Sequence, residues 1–184
     1  MPQDGIGIPD HLQRLWTPHR MAYVTGGSGE DRTAAASPTT APAGDVAGCP
    51  FCRIPTLSDE DGLIVARGRW VYAVLNLFPY NPGHLMVVPL RHMPDYTDLN
   101  ADELTEFSDF TRHALRTVRT VSAPHGFNIG INAGSAAGAG IAEHLHQHVV
   151  PRWGGDSNFM PVVGQTKVLP QLLADTRRLL ADAW

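Results

Sequence analysis

The chain has 184 residues, of which 43% are apolar, and this is enough for one domain with a substantial core. Its formal net charge of −4 argues against a surface that binds polyanions, so nucleic acid is not an expected partner. The chain contains no long apolar run and does not begin with a basic segment followed by a hydrophobic one. We therefore expect a cytoplasmic protein that does not associate with a membrane.

Residues 1–48 are predicted to form an N-terminal extension. Leu12, Leu15 and Trp16 are spaced as on one side of a short helix. Residues 26–48 consist mainly of Gly, Ser, Thr, Ala and Pro, with almost no large apolar side chain, and this composition predicts a flexible loop. The main domain is therefore expected over residues 49–184.

Three strands are predicted in the first half of this domain. Residues 63–66 and 70–77 are rich in β-branched, aromatic and aliphatic side chains, and Leu85–Pro89 forms a third run of this kind. The segment Pro79–His84 contains two prolines and a glycine, which is typical of a turn. This turn is expected to deliver His84 to the start of the third strand.

The second half is predicted to contain two main helices and two further strands. Asn100 followed by Glu103 indicates a helix N-terminus, and apolar residues at helical spacing continue to about Val121. A strand is predicted over 127–132, and a second amphipathic helix over 169–183. Together these elements predict an α+β fold with an antiparallel sheet of about five strands.

Three histidines, His144, His146 and His148, alternate within residues 144–150. Such alternation predicts a strand that presents all three imidazoles on one face. The outer two would lie roughly 13 Å apart, too far for all three to converge on one ion. Because imidazole titrates near neutrality, one ring could act as nucleophile while the others position a phosphate chain or serve a structural site. Loose metal binding or three solvated side chains are the simpler alternatives.

A glycine and alanine run, Ala133–Gly140, precedes the histidines. Its glycines, including Gly138 and Gly140, would leave backbone N–H groups open to an approaching anion, and Ser135 adds a hydroxyl. A plain flexible hairpin loop explains the same composition equally well.

The alternating histidines, the turn Pro82–His84 and the closing Pro151–Trp153 together resemble the histidine triad (HIT) family of nucleotide hydrolases and transferases. This resemblance covers roughly residues 49–155 and implies a HIT-like fold. The sequences of Leu12–Pro18, Tyr80–His84 and Arg152–Asp156 are similar to the branch of the family that contains bacterial diadenosine tetraphosphate phosphorylases.

The resemblance implies a role for each histidine. The middle one, His146, would attack the α-phosphorus and form a nucleotidyl-histidine intermediate. His148 would contact the non-bridging or leaving-group oxygens, and His144 would orient the site from beside it. His84 would hydrogen-bond within the cluster and fix the tautomer of the nucleophile.

The resemblance also implies substrate-binding residues outside the triad. Asn76 lies eight residues before His84, as does the ribose-binding residue of the family, although a polar residue at the end of a strand would fit this spacing as well. Asn132 corresponds to an amide that touches the phosphate. Gly140 stands where a polar side chain is expected, so Ser135 or backbone N–H groups would have to replace that donor.

The two cysteines are spaced as Cys49-x-x-Cys52, and in a reducing compartment such a pair indicates metal or redox chemistry. Some members of the histidine triad family, which this chain resembles, complete such a two-cysteine zinc site with two histidines. Here these histidines would be His92 and His144. A structural zinc ion is therefore the expected cofactor, and none is expected to be required for the chemistry itself. A redox pair and two idle thiols are the alternatives.

The function implied by the branch is phosphorolysis of diadenosine tetraphosphate to ADP and ATP, with inorganic phosphate as the second substrate. Hydrolysis of dinucleoside polyphosphates and cleavage of purine nucleoside phosphoramidates use the same residues and are alternatives. A nucleotide-binding protein without catalysis is a third. By resemblance, a homodimer or a higher homo-oligomer is expected.

Overall fold

The computed structural model describes residues 48–156, 163–164 and 169–184. The predicted N-terminal helix and nearly all of the predicted flexible loop lie outside these residues. Among the described helices, none is long and apolar enough to cross a membrane.

A five-stranded sheet in the order β1-β2-β3-β5-β4 forms the centre of the described part of the chain. All neighbouring strands are antiparallel. The prediction of an α+β fold with about five antiparallel strands is confirmed. The strands are β1 (Ile64–Arg67), β2 (Val71–Leu75), β3 (Leu85–Pro89), β4 (Gly126–Ile131) and β5 (Gln147–Arg152).

Two main helices accompany the sheet, as predicted. The long helix α2 (Ala101–Ser122) begins with a capping box in which Asn100 and Glu103 satisfy each other's backbone N–H groups. The helix α3 (Leu173–Asp182) begins four residues later than the sequence pattern suggested. A single helical turn, α1 (Pro50–Arg53), follows Cys49, and short 3-10 turns occur at Ile54–Thr56, Tyr96–Asp98 and Ser135–Ala137.

The two faces of the sheet have different surroundings. One face carries Leu85 and Val149 and packs against α2 through Phe107 and Val118, forming the larger apolar cluster. The opposite face carries a smaller cluster in which Tyr72, Val74, Met86 and Val88 pack under the Phe51 ring of α1. His148 pairs directly with Met86, so it lies on this second face.

The predicted strand over 144–150 is wrong at its start, because β5 begins at Gln147 and only His148 of the three histidines lies within it. The register of β3 with β5 pairs Val87 with Gln147, which would place Pro89 opposite Leu145. Proline has no N–H to donate, so the ladder cannot continue there. The N–H of Leu145 instead donates to the carbonyl of Met93.

Candidate active site and metal centre

Four potential metal ligands converge beside α1. Cys49 immediately precedes this helix, Cys52 lies within it, His92 follows β3, and His144 precedes β5. The ligand atoms of all four residues lie within 4.8 Å of one another. The Nδ1 of His144 is 3.3 Å from the Cys49 sulfur and 3.6 Å from that of Cys52, and the Nδ1 of His92 is 3.3 Å from the Cys52 sulfur. The predicted ligand set is thus close enough to hold a metal ion.

The ring of His144 is oriented for metal binding. Its Nε2 lies 2.9 Å from the carbonyl oxygen of Pro89, which can only accept, so Nε2 carries the proton and Nδ1 offers a lone pair to the cluster. Burial lowers the pKa of His144 to about 4, against the opposing effect of its hydrogen bond to Pro89. The imidazole is therefore neutral at physiological pH, as a metal ligand must be.

His146 is held with a free lone pair on its outer nitrogen. Its Nδ1 lies 2.8 Å from the carbonyl oxygen of His144, so Nδ1 carries the proton and donates it to this oxygen. The side chain is buried, and its ring packs against Phe51 with centroids 4.8 Å apart. Nε2 of His146 is consequently the unprotonated nitrogen, and it can act as a nucleophile.

His148 has the opposite arrangement, and His84 is the cause. The backbone N–H of Tyr80 donates to Nδ1 of His84 at 3.0 Å, so the proton of His84 resides on Nε2. This Nε2 donates to Nδ1 of His148 at 2.9 Å, which leaves the proton of His148 on its own Nε2. Burial and the neighbouring His148 lower the pKa of His84 to about 3, so this ring stays neutral.

The expectation that His84 fixes the tautomer of His146 is therefore wrong. His84 fixes the tautomer of His148, and the backbone of His144 does this for His146. Burial also lowers the pKa of His148, with a further contribution from the nearby His146. The neutral forms of the two rings thus have opposite tautomers, with a lone pair on the outer nitrogen of His146 and an N–H donor on that of His148, and the ring centroids lie 5.1 Å apart.

A cavity of about 340 Å³ lies beside His148, between β4, β5 and the turn at Tyr80. Of the predicted substrate-binding residues, Asn132 lines this cavity. The other predicted substrate-binding residues do not line it; they are Asn76, Ser135, Gly138 and Gly140.

These four residues lie outside the strands and the main helices. The Asn76 side chain accepts the N–H of Phe78 within its own turn. Ser135 begins the 3-10 turn, and Gly138 ends it with φ of 88°, which favours glycine. Gly140 has ordinary backbone angles, so its glycine is not required by backbone conformation.

A polar network in the cavity wall was not predicted from sequence. Arg152 forms two hydrogen bonds with the Asp156 carboxylate, at 2.6 and 2.9 Å, and its third nitrogen donates to Oδ1 of Asn128 at 2.7 Å. Nδ2 of Asn81 donates to the same carboxylate at 2.7 Å. The hydrogen bonds from Arg152 are the main reason that the pKa of Asp156 is far below its usual range. The sequence feature that could have indicated this network is the pair of opposite charges, Arg152 and Asp156, four residues apart at the end of β5.

Comparison with known proteins gives similarities along nearly the whole chain. The HIT domain model matches residues 59–155. A Mycobacterium tuberculosis protein named AP-4-A phosphorylase is 56% identical over 181 residues, which cover 98% of this chain and 88% of the relative. The asymmetrical bis(5'-nucleosyl)-tetraphosphatase of Schizosaccharomyces pombe is 37% identical over 86 residues, 47% of each chain. The crystal structure of a zinc-bound histidine triad family protein from Mycobacterium smegmatis has a TM-score of 0.58 at 27% identity, with 74% of this chain and 92% of that chain covered.

Proposed function

Because the chain belongs to the histidine triad family, we propose that it is a cytoplasmic dinucleoside polyphosphate phosphorylase. Its substrates would be diadenosine tetraphosphate and inorganic phosphate, and its products ADP and ATP. The observation that carries the proposal is the opposite protonation of the two outer nitrogens, a lone pair on His146 and an N–H on His148. The relative named AP-4-A phosphorylase, 56% identical, supports the choice of substrate.

In the first step, Nε2 of His146 attacks the α-phosphorus of the dinucleotide. The new P–N bond forms as the bond to the bridging oxygen breaks, and ATP departs with that electron pair. The N–H of His148 donates to the oxygens on which negative charge accumulates. No ring has to reorient for this step, because each tautomer is already fixed by a hydrogen bond.

In the second step, an oxygen of hydrogen phosphate attacks the same phosphorus and forms ADP. The electron pair of the P–N bond returns to Nε2 of His146, which regenerates the neutral ring. Water in place of phosphate would give AMP. Hydrolysis is the second candidate function, since the S. pombe relative is named as a tetraphosphatase.

The remaining polar residues have proposed roles in binding. Asn76 would contact a ribose, since its position at the end of β2 follows the family pattern. Asn132 would contact the phosphates from the cavity wall. The loop with Ser135, Gly138 and Gly140 would donate backbone N–H groups or a hydroxyl to the polyphosphate.

We also propose that the four-ligand cluster binds zinc. Two thiolates and two imidazoles are ligands that zinc prefers, and a tetrahedral zinc site places sulfur and nitrogen roughly 3.6 Å apart. The separations of 3.3 to 3.6 Å in the structure fit this geometry. Four protein ligands leave no open position, so the ion would supply structural cross-linking and not Lewis-acid chemistry.

The proposed zinc site is connected to the nucleophile His146 through His144. Cys49 and Cys52 would be tied to His144, whose carbonyl oxygen orients His146. We therefore place the catalytic unit in residues 49–184, beginning with the first ligand.

A homodimer or a larger homo-oligomer is the proposed assembly. β4 is an edge strand of the sheet, and the side chain of its Ile129 is 47% exposed. An edge with unpaired backbone groups and an exposed apolar residue is suited to contact with a second chain. Light scattering coupled to size-exclusion chromatography would measure the assembly, and a monomer at micromolar concentration would contradict this part of the proposal.

The function is tested by separating the products formed from diadenosine tetraphosphate with and without inorganic phosphate. ADP and ATP that form only with phosphate support phosphorolysis. AMP and ATP formed in both conditions would replace phosphorolysis by hydrolysis. His146→Asn should abolish both reactions, and unchanged turnover in that variant would refute the assignment of the nucleophile.

A further inference from the structure

We propose that the cavity beside His148 is the subsite for the acceptor phosphate, and that Arg152 is the residue that makes phosphate a better acceptor than water. This inference rests on the proposed phosphorylase function and adds to it a binding site for the second substrate. Two observations support it: the hydrogen-bond donors in the cavity wall, and the open space that the missing side chain of Gly130 leaves.

The polar groups of the wall offer protons to the cavity. Arginine can only donate, so the amide oxygen of Asn128 must face Arg152, and its NH₂ group points elsewhere. Arg152 has five N–H groups, of which three are engaged with Asp156 and Asn128, so two remain for a ligand. His148 adds the N–H on its outer nitrogen. Such a set of donors is complementary to the oxygens of a phosphate.

Asp156 also lines the cavity, and its negative charge would oppose an anion if it were available. Its carboxylate is however engaged by four donors, because it accepts two N–H groups from Arg152, one from Asn81 and one from the backbone of Trp153. Its side chain is only 9% exposed, whereas that of Arg152 is 47% exposed. The carboxylate of Asp156 therefore orients the guanidinium of Arg152, so that the edge of the guanidinium that does not contact Asp156 faces the ligand.

The register of β4 with β5 creates the space for this ligand. Gly130 is paired with His148, and Asn128 with Val150, so these residues face the same side of the sheet. A Cβ atom added at Gly130 would meet nothing within 4 Å. The missing side chain thus leaves open the region between the His148 ring and the Arg152 network.

The chemistry requires the acceptor to approach the reacting phosphorus from the side opposite His146. In an in-line displacement the leaving group departs opposite the attacking nitrogen of His146, and the acceptor later enters from that same direction. The cavity is bounded by His148 and not by His146. A phosphate held there would break the P–N bond by forming a P–O bond, and the electron pair would return to His146.

The test measures the ratio of ADP to AMP at a fixed phosphate concentration, using purified full-length protein and diadenosine tetraphosphate. This ratio depends only on how the nucleotidyl-His146 intermediate divides between phosphate and water, so a slower first step or a smaller folded fraction does not change it. The variants are Arg152→Gln, which removes the charge, and Gly130→Val, which fills the space with an uncharged side chain. Arg112→Gln is the matched control, because Arg112 forms a similar ion pair with Asp109 on the surface of α2.

Arg152→Gln should lower the ratio about tenfold or more, the expected effect of losing a hydrogen bond to a charged group. Gly130→Val should also lower the ratio, because its side chain would occupy the space of the phosphate. The control should keep the ratio of the unmodified protein. An unchanged ratio in Arg152→Gln would overturn the role of this arginine, and an unchanged ratio in Gly130→Val would overturn the location of the subsite. If the unmodified protein makes AMP and no ADP at any phosphate concentration, the proposed function itself fails, and this result is distinct from the other two.

Discussion

His84 is the residue through which the tautomer assignment can be tested most directly. We expect His84→Phe to preserve the packing of a buried ring against Tyr80, whose centroid lies 4.6 Å away, while removing both hydrogen bonds of the imidazole. His148 would then lose the donor that keeps its proton on the outer nitrogen. The substitution therefore separates the hydrogen-bonding role of His84 from its role in packing.

The size of the effect follows from the two groups that lose a partner. His84 is fully buried, and its replacement leaves Nδ1 of His148 and the N–H of Tyr80 without their protein partners. A buried polar group without a partner costs about 1–3 kcal/mol, so the loss of two partners should lower the free energy of unfolding by about 2–6 kcal/mol. A positioned proton donor contributes about 100-fold or more to the rate. Because the correct tautomer of His148 would remain partly populated, the turnover number should fall by about tenfold to 100-fold. The KM for the dinucleotide should change little, since His84 does not line the cavity.

Three measurements check this prediction: urea unfolding, steady-state kinetics and ¹⁵N NMR of the histidine rings. His113→Phe is the control, because His113 lies on α2, stacks on Trp184 and is not part of the triad. If His148 retains its proton on Nε2 in His84→Phe and the turnover number stays within twofold, the hydrogen-bond argument is refuted.

Three further predictions concern stability. Cys52→Ser should reduce bound zinc well below one ion per chain by mass spectrometry and lower Tm by about 10 °C, and full retention of zinc would contradict the ligand set. Because the pKa of His84 is about 3 when folded and 6.5 ordinarily, the unfolded chain takes up a proton below pH 6.5 that the folded chain does not. Stability should thus fall from pH 7 to pH 5, and His144 and His148, whose pKa values are also lowered by burial, contribute in the same direction. In His84→Phe the slope should be shallower by an amount that approaches about 1.4 kcal/mol per pH unit, and equal slopes in urea titrations of the two proteins would exclude this cause. Asn100→Ala should lower the unfolding free energy by about 1 kcal/mol through loss of the α2 cap, whereas Asn100→Asp should retain most of it.

Several features of the protein were predictable because they depend on short stretches of chain. The capping box of Asn100 and Glu103 identified the start of α2, and the apolar run Leu85–Pro89 coincides with β3. Both signals are local: a cap is formed within one turn, and a strand needs only a continuous set of suitable side chains. The spacing of Cys49 and Cys52 indicated metal or redox chemistry, the family resemblance added His92 and His144, and the structure brings these four residues together.

The start of β5 and the partner of His84 were predicted incorrectly, because each depends on a second segment of chain. Pro89 ends the pairing of β3 with β5, so the alternation of the histidines does not extend the strand back to His144. His84 could be placed near the triad from its motif, but which ring it meets depends on how the turn after β2 closes over β5.

The sequence by itself determined which chemical groups are available: three imidazoles close together, a fourth after a turn, two thiols and an arginine four residues before an aspartate. The tertiary structure alone decided which atom of each group faces the others. The carbonyl of His144 and the ring of His84 give His146 and His148 opposite tautomers, and the register of β4 places Asn128 against Arg152. Hydrogen-bond direction depends on geometry between segments far apart in the chain, and local sequence patterns carry no information about that geometry.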